Sequence, residues 1–128
     1  MKKKWMAAAL ALLALTACDK MTTDLEGKWQ LKEIEAGGVR TAVDTVWYNF
    51  QTSLFMYQLY EPATEEYKVS YGLSYYDEGE EIRLELNNDA LLPRTDWESR
   101  IRTFTIEKVS RKELVLKGDG KTYYFDKF

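Results

Sequence analysis

The chain has no histidine and only one cysteine among its 128 residues. The missing histidine excludes histidine-based acid–base catalysis, and a single cysteine excludes an intramolecular disulfide and a zinc site built from several thiolates. Prolines number two and glycines seven, whereas 45% of the residues are hydrophobic and 14% aromatic. This composition is that of one folded domain, because a disordered or collagen-like chain has far fewer large apolar residues. Neither a cofactor nor a metal site is expected.

The first 17 residues are predicted to be an export signal. Lys2–Lys4 form a basic start, and an uninterrupted apolar run extends from Trp5 to Leu15. A run of this length is typical of a secretory signal and is shorter than the roughly 18–20 residues that span a bilayer.

The end of the apolar run carries a second signal. Its residues are Leu15, Thr16, Ala17 and Cys18. This tetrapeptide resembles the lipobox of bacterial lipoproteins, in which the cysteine is lipidated and becomes the mature N-terminus. The alternative is an ordinary cleavage site followed by a chance cysteine. The resemblance implies a lipid-anchored protein of the cell envelope, at the periplasmic face or the cell surface, because two or more acyl chains hold a protein stably on a membrane. Residues 18–24 then form the lipidated cysteine and a short polar tether.

The charge balance argues against nucleic-acid binding. The formal charge is −3, and removal of residues 1–17 leaves 15 basic side chains against 21 acidic ones, a formal charge of −6. A phosphate-binding surface needs clustered lysine and arginine, whereas here the basic residues alternate with acidic ones.

Beyond Leu25 the apolar residues alternate with a period of two, which is the pattern of β-strands. The segment Gly118 to Gly120 marks the clearest hairpin, because its glycines suit a tight turn. Closure into a barrel would leave no strand edge exposed. The predicted strands are Lys28–Ile34, Thr45–Phe50, Leu54–Tyr60, Tyr67–Tyr75, Glu81–Leu86, Arg100–Val109, Glu113–Lys117 and Lys121–Phe128.

Gly27 and Trp29 open the first predicted strand. They resemble the Gly-x-Trp signature of lipocalin and wider calycin barrels, in which the tryptophan plugs the closed end. With the strand pattern and the lipobox, the chain is similar to small lipocalin-like lipoproteins of Gram-negative gut bacteria. The resemblance implies an all-β, eight-stranded antiparallel up-and-down barrel over residues 25–128. Lipocalins lay an arginine across this tryptophan, whereas the last strand here offers Lys121 or Lys127.

The inward side chains decide whether such a barrel holds a ligand, because eight strands leave room either for packed side chains or for one small molecule. Alternation predicts inward faces at Val46, Tyr48 and Phe50, at Ile82, Leu84 and Leu86, and at Tyr67, Val69, Tyr71, Leu73 and Tyr75. The tyrosines line a pocket or belong to a packed core. Trp29 is predicted to be the plug, and Trp47, of opposite parity to Tyr48, to lie outside the barrel as an interaction surface or as cover for a neighbouring strand.

Two further features concern binding. Arg102 shares a strand face with Arg100 and Phe104; turned inward, it would pair with a ligand carboxylate, and turned outward it would leave Ile101 and Val109 inside. The irregular stretch 87–99 either forms a docking site or folds over an open barrel end. Its apolar residues are Leu91, Leu92 and Trp97.

The sequence predicts a non-catalytic, monomeric, membrane-anchored protein that binds a small hydrophobic or amphipathic molecule. The candidate ligand-binding residues are Tyr48, Phe50, Tyr67, Tyr71, Tyr75, Arg102 and Phe104. The alternative is a solid barrel that binds or inhibits a partner protein through the 87–99 loop. A carboxylate-based enzyme is disfavoured, because the pattern does not place two acidic residues across a cleft.

Overall fold

The computed structural model describes residues 24–77 and 80–128. The predicted signal, the lipobox with Cys18 and the tether up to Thr23 lie outside the described residues. The strands formed by the described residues are β1 (Gly27–Ala36), β2 (Val39–Ala42), β3 (Val46–Gln51), β4 (Leu54–Glu61), β5 (Glu66–Asp77), β6 (Glu81–Leu86), β7 (Ile101–Val109), β8 (Glu113–Gly118) and β9 (Lys121–Lys127). One 3-10 helix spans Leu92–Arg94. In this part of the chain, no helix has the length and apolar character needed to cross a bilayer.

The strands form a closed antiparallel barrel. Neighbours in sequence pair from β3 through β9, and β1 pairs with both β3 and β9, so that in the described part of the chain β1 and β3–β9 complete a ring of eight. The short β2 pairs with the second half of β1. All eight predicted strands are confirmed. The sequence pattern missed β2 because all four of its residues are exposed and show no apolar alternation.

The interior of the barrel is packed with large apolar side chains. The predicted inward faces of β3 and β6 are confirmed, since Tyr48, Phe50 and Leu84 are fully buried. Strand β4 adds Phe55 and Tyr57. Close packing of this kind means that each strand contributes side chains that fit the space left by the others.

The predicted inner face of β5 is wrong. Tyr67 and Tyr71 are 61% and 59% exposed, and Val69, Leu73 and Tyr75 are exposed with them. The inward residues are instead small: Ser70, Gly72 and Ser74. A Cβ atom added to Gly72 would overlap the backbone of Glu85 on β6, so the two strands approach too closely at this position for any side chain. A period of two shows that two faces differ, but it does not show which one points inward.

Trp29 plugs one end of the barrel, as predicted. Its side chain is fully buried, and its Nε1–H donates a hydrogen bond to the Leu25 carbonyl at 2.8 Å. Lys127 lies over the ring, with Nζ 4.5 Å from the centroid, and also donates to the Glu26 carbonyl. Lys127 therefore takes the place of the arginine that lipocalins lay across this tryptophan. Gly27 has φ +118°, and a Cβ there would overlap the Lys127 ammonium group.

Trp47 lies on the outer face of β3 but is buried, which confirms the interpretation as cover rather than as an interaction surface. Its ring packs against Tyr67, at 5.8 Å between centroids, and against Phe128, at 6.0 Å. Lys28 covers both Trp47 and Phe128. The exposed Tyr67 side chain thus shields its larger neighbour from water.

Candidate functional site

The loop of residues 87–99, which joins β6 to β7, covers the barrel end opposite Trp29. Leu91 and Trp97 are buried in the core, and Leu92 packs against it. The expectation that Leu91 and Trp97 form an exposed docking surface is therefore wrong, because these apolar side chains gain more by entering the open end than by facing water. The alternative, a loop folded over the barrel end, is confirmed.

The Trp97 indole enters the barrel among four aromatic rings. It stacks on Phe55 with 6.0 Å between ring centroids and an interplanar angle of 7°. Tyr57 and Phe104 meet it edge-on or at a tilt, at 5.9 and 6.2 Å. Its Nε1–H donates a hydrogen bond to the Tyr48 hydroxyl at 3.0 Å. The loop thus adds one aromatic ring to a cluster whose other rings come from the strands.

Arg102 points into the barrel together with Phe104, which is the inward one of the two predicted orientations. It is 4% exposed, whereas Ile101 is 52% exposed, so the interpretation with Ile101 inside is wrong. Arg100 stays at the surface, where its Nε lies 3.3 Å from the Asp89 carboxylate. A buried guanidinium is costly unless anions or acceptors surround it, so its partners define the site.

Four side chains form the Arg102 cluster: Asp96 from the loop, Arg102 from β7, and Lys121 and Tyr123 from β9. The Arg102 Nη1 lies 3.2 Å from Asp96 Oδ1, and its Nη2 donates to the Tyr123 hydroxyl. The Tyr123 hydroxyl in turn donates to Asp96, and Lys121 Nζ lies 3.5 Å from the same carboxylate. The loop therefore supplies the carboxylate, while the two strands supply the cations and the hydroxyl.

One donor of Arg102 stays unused within the described residues. Its Nε is buried and has no hydrogen-bond partner there. The Asp119 carboxylate lies 3.3 Å away, but outside hydrogen-bond geometry. Because an arginine presents its donors as a planar fork, Nε and one Nη together match the two oxygens of a carboxylate.

The electrostatics keep the cluster cationic on the strand side. Burial lowers the pKa of Arg102, but Tyr123 and Asp96 outweigh burial, so the pKa lies above its usual value. Burial also raises the pKa of Tyr48, Tyr57 and Tyr123 well above that of a free phenol. The site therefore keeps the positive charge of Arg102 beside neutral hydroxyl groups.

The loop is attached to the barrel mainly by side chains. The Asn87 N–H donates to the Tyr71 carbonyl on β5, and the other backbone hydrogen bonds of the loop are local, from Leu92 to Asp89, from Arg94 to Leu91 and from Thr95 to Leu92. Arg94 pairs with Glu61 at the end of β4. Side-chain contacts can be exchanged without breaking the hydrogen-bond ladder of the barrel.

Two buried serines on β5 face the same interior. The hydroxyls of Ser70 and Ser74 have no hydrogen-bond partner among the described residues. A buried hydroxyl without a partner is unfavourable, so both serines would gain from a polar group inside the barrel. The sequence interpretation missed them, because it assigned this face to solvent.

The structure brings together only some of the predicted ligand-binding residues. Tyr48, Arg102 and Phe104 all lie at the covered end, and Phe50 packs one ring further in, at 5.4 Å from Phe55. The three candidates on β5 face outward: Tyr67, Tyr71 and Tyr75. Sequence reasoning missed Asp96, Tyr57 and Tyr123. For Asp96 the only available signal was its position beside Trp97 in the apolar loop.

A family profile identifies the protein family to which this barrel belongs. The profile described as a lipocalin-like domain matches residues 13–128. The chain belongs to the lipocalin-like family. This lipocalin-like protein is 30% identical to a lipocalin-like protein from Bacteroides uniformis ATCC 8492, with a TM-score of 0.74 over 82% of this chain and 99% of the other.

A second solved structure shares the fold. An uncharacterized protein from Bacteroides eggerthii DSM 20697 is 24% identical, with a TM-score of 0.68 over 81% of this chain and 99% of the other. A search of curated proteins finds no match. The lipocalin-like assignment thus rests on the family profile, the barrel and the Bacteroides uniformis structure.

Proposed function

We propose that this lipocalin-like protein binds a small hydrophobic or amphipathic molecule inside the covered end of its barrel, in the space that side chains of the 87–99 loop fill in this structure. The observation that carries the proposal is Arg102, a permanent cation buried among aromatic rings beneath a loop held by side chains. Sites for small molecules are mostly apolar and contain a few placed polar groups that orient the ligand. Lipocalin-like folds suggest small-molecule binding in general, which agrees with this arrangement.

The proposed role is binding without catalysis. Proteins of lipocalin-like fold are generally binding proteins. The buried polar and charged residues of the described chain are Ser70, Ser74 and Arg102. Acid–base chemistry of the glycosidase type needs two facing carboxyl groups, and the acidic residue at this site, Asp96, is engaged with Arg102 and Tyr123.

We also propose that the protein is lipidated at Cys18 and held at the membrane surface of the cell envelope. The supporting observation is the tetrapeptide from Leu15 to Cys18 after a basic and apolar start. The five residues between Cys18 and Asp24 would reach about 20 Å when extended. The wild-type chain should incorporate labelled palmitate, and replacement Cys18→Ser should abolish the incorporation. Absence of label from the wild-type chain, or equal labelling of the variant, would contradict the anchor.

A fluorescent fatty-acid analogue tests the binding proposal. We expect its emission to rise in a saturable, one-to-one manner on addition of the purified protein, and unlabelled fatty acid to displace it. Because Trp97 lies at the covered end, its replacement Trp97→Phe should change the dissociation constant of the analogue. Trp47→Phe, on the outer face, should leave that constant unchanged. Absence of saturable binding would contradict the proposal.

A further inference from the structure

Two adjacent residues of the loop meet the covered end: Trp97 is buried inside it, and Asp96 lies at its rim with its side chain 27% exposed. Trp97 places an indole against Phe55, and Asp96 places a carboxylate against Arg102. Together they form an apolar body next to an anion. Each half contacts strand residues that suit it chemically, aromatic rings in one case and a guanidinium with a tyrosine hydroxyl in the other.

The two sides of this contact are held differently. The cation and the hydroxyl belong to β7 and β9, which are fixed by the hydrogen-bond ladder of the barrel. The carboxylate and the indole belong to the loop, whose backbone hydrogen bonds beyond Asn87 are local. A buried arginine needs an anion, and here a segment outside the strand ladder provides it.

We propose that Asp96 and Trp97 are a built-in occupant of the ligand site, and that the ligand is a compact molecule joining an aromatic body to a carboxylate. This inference rests on the function proposed above. The ligand carboxylate replaces Asp96 on Arg102, and its aromatic body replaces the Trp97 indole, so that binding displaces the loop.

The contact of Asp96 with a single nitrogen of Arg102 explains why a free carboxylate can compete with the resident one. Asp96 Oδ1 lies 3.2 Å from Nη1, and the Asp119 carboxylate lies 3.3 Å from Nε, outside hydrogen-bond geometry. A ligand carboxylate that contacts the guanidinium with both oxygens adopts the preferred geometry of arginine–carboxylate pairs. Lys121 Nζ, 3.5 Å from Asp96, supplies further positive charge at the entrance.

Occupation by the loop should reduce the apparent affinity. Only the fraction of molecules with a displaced loop is open to the ligand, so the measured dissociation constant rises as that fraction falls. Asp96→Asn weakens the contact of the loop with Arg102 and so raises that fraction for any ligand of the site. The preference for a carboxylate over its neutral amide comes from Arg102 and should survive the change.

The test compares 1-naphthaleneacetate with its neutral amide, 1-naphthaleneacetamide, by isothermal titration calorimetry. In Asp96→Asn we expect both compounds to bind about tenfold more tightly than to the wild-type chain, because a larger fraction of molecules has a displaced loop. The matched control is Asp89→Asn, which removes a carboxylate from the same loop but from a surface pair with Arg100. It should leave both affinities unchanged, and Arg102→Gln should abolish the preference for the carboxylate.

A measurement on the wild-type chain keeps the test independent of how the variants fold. Trypsin cleavage after Arg94 should become several-fold faster at a saturating concentration of the carboxylate, because binding displaces the loop. Unchanged cleavage at saturation, or unchanged affinities in Asp96→Asn, would overturn the inference. If neither compound binds while the fatty-acid analogue does, the ligand class is wrong and the proposed function stands. If the analogue also fails to bind, both are wrong.

Discussion

The Trp97 indole donates its N–H to the hydroxyl of Tyr48 at 3.0 Å. These residues lie 49 positions apart, one in the loop of residues 87–99 and the other on β3. Their hydrogen bond ties the loop to the barrel wall inside the core, where an unpaired donor would be unfavourable.

A double-mutant cycle should detect this bond. Tyr48→Phe leaves the indole N–H without its partner, and we expect a loss of about 1–3 kcal/mol in the free energy of unfolding. Trp97→Phe removes the donor together with packing. The double variant should lose less than the sum of the two single losses by about 1 kcal/mol, measured by urea unfolding. Additive losses would show that the hydrogen bond contributes nothing.

Gly27 should be sensitive to any side chain. Its φ of +118° is rarely adopted by other residues, and an added Cβ would overlap the Lys127 ammonium. We expect Gly27→Ala to lower the free energy of unfolding by about 1–3 kcal/mol. Gly38→Ala is the control, because it shares a positive φ of +79° but has open space around the added atom. In a Lys127→Ala background the cost of Gly27→Ala should shrink; an unchanged cost would remove Lys127 from the explanation.

The two faces of the barrel wall should differ in their tolerance of truncation. Tyr57 points inward and is buried, whereas Tyr71 points outward. We expect Tyr57→Ala to cost about 3–5 kcal/mol, as for other large core residues, and Tyr71→Ala to stay within about 0.5 kcal/mol. Thermal unfolding monitored by circular dichroism compares the two. A comparable loss at Tyr71 would contradict the orientation of β5.

Alkaline pH should destabilise the fold through the buried tyrosines. Burial raises the pKa of Tyr48, Tyr57 and Tyr123 in the folded protein, whereas an unfolded tyrosine ionises near pH 10. Below about pH 10 both states hold the proton, so this contribution is fully present. Above it the unfolded state releases protons first, and stability falls by about 1.4 kcal/mol per pH unit for each such tyrosine.

Urea unfolding at increasing pH, together with the ultraviolet absorbance of ionised tyrosine, measures this loss. Tyr57→Phe should reduce the slope above pH 10, because one of the three buried phenols is gone. A slope identical to that of the wild-type chain would mean that Tyr57 does not contribute.

Burial of Trp29 illustrates what the sequence could predict. The Gly-x-Trp signature and the alternation of apolar residues act locally, so the strands, the plug and the inward faces of β3 and β6 follow from the chain itself. The orientation of β5 does not follow from the sequence. Its tyrosines alternate with Ser70, Gly72 and Ser74, and the alternation does not show which set points inward. The barrel interior, already filled by Tyr48 and its aromatic neighbours, selects the small residues.

The Arg102 cluster was predictable in part. Alternation with Phe104 predicted an inward Arg102 as one of two interpretations, because the sequence does not show whether a buried charge has a partner. That partner, Asp96, comes from an irregular loop. Asp96 also contacts Tyr123, which lies 27 residues further along the chain on β9. Contacts set by the closure of the barrel and by the path of a loop carry no periodic signal in the sequence.

The most direct test of interior binding is one titration with the fluorescent fatty-acid analogue, repeated on two variants. Arg102→Gln removes the buried guanidinium. Arg100→Gln removes an exposed guanidinium two residues earlier in the chain. We expect saturable one-to-one binding to the wild-type chain and to Arg100→Gln, and affinity about tenfold weaker for Arg102→Gln. Equal affinities in all three proteins, with each shown to be folded, would contradict a ligand site at Arg102.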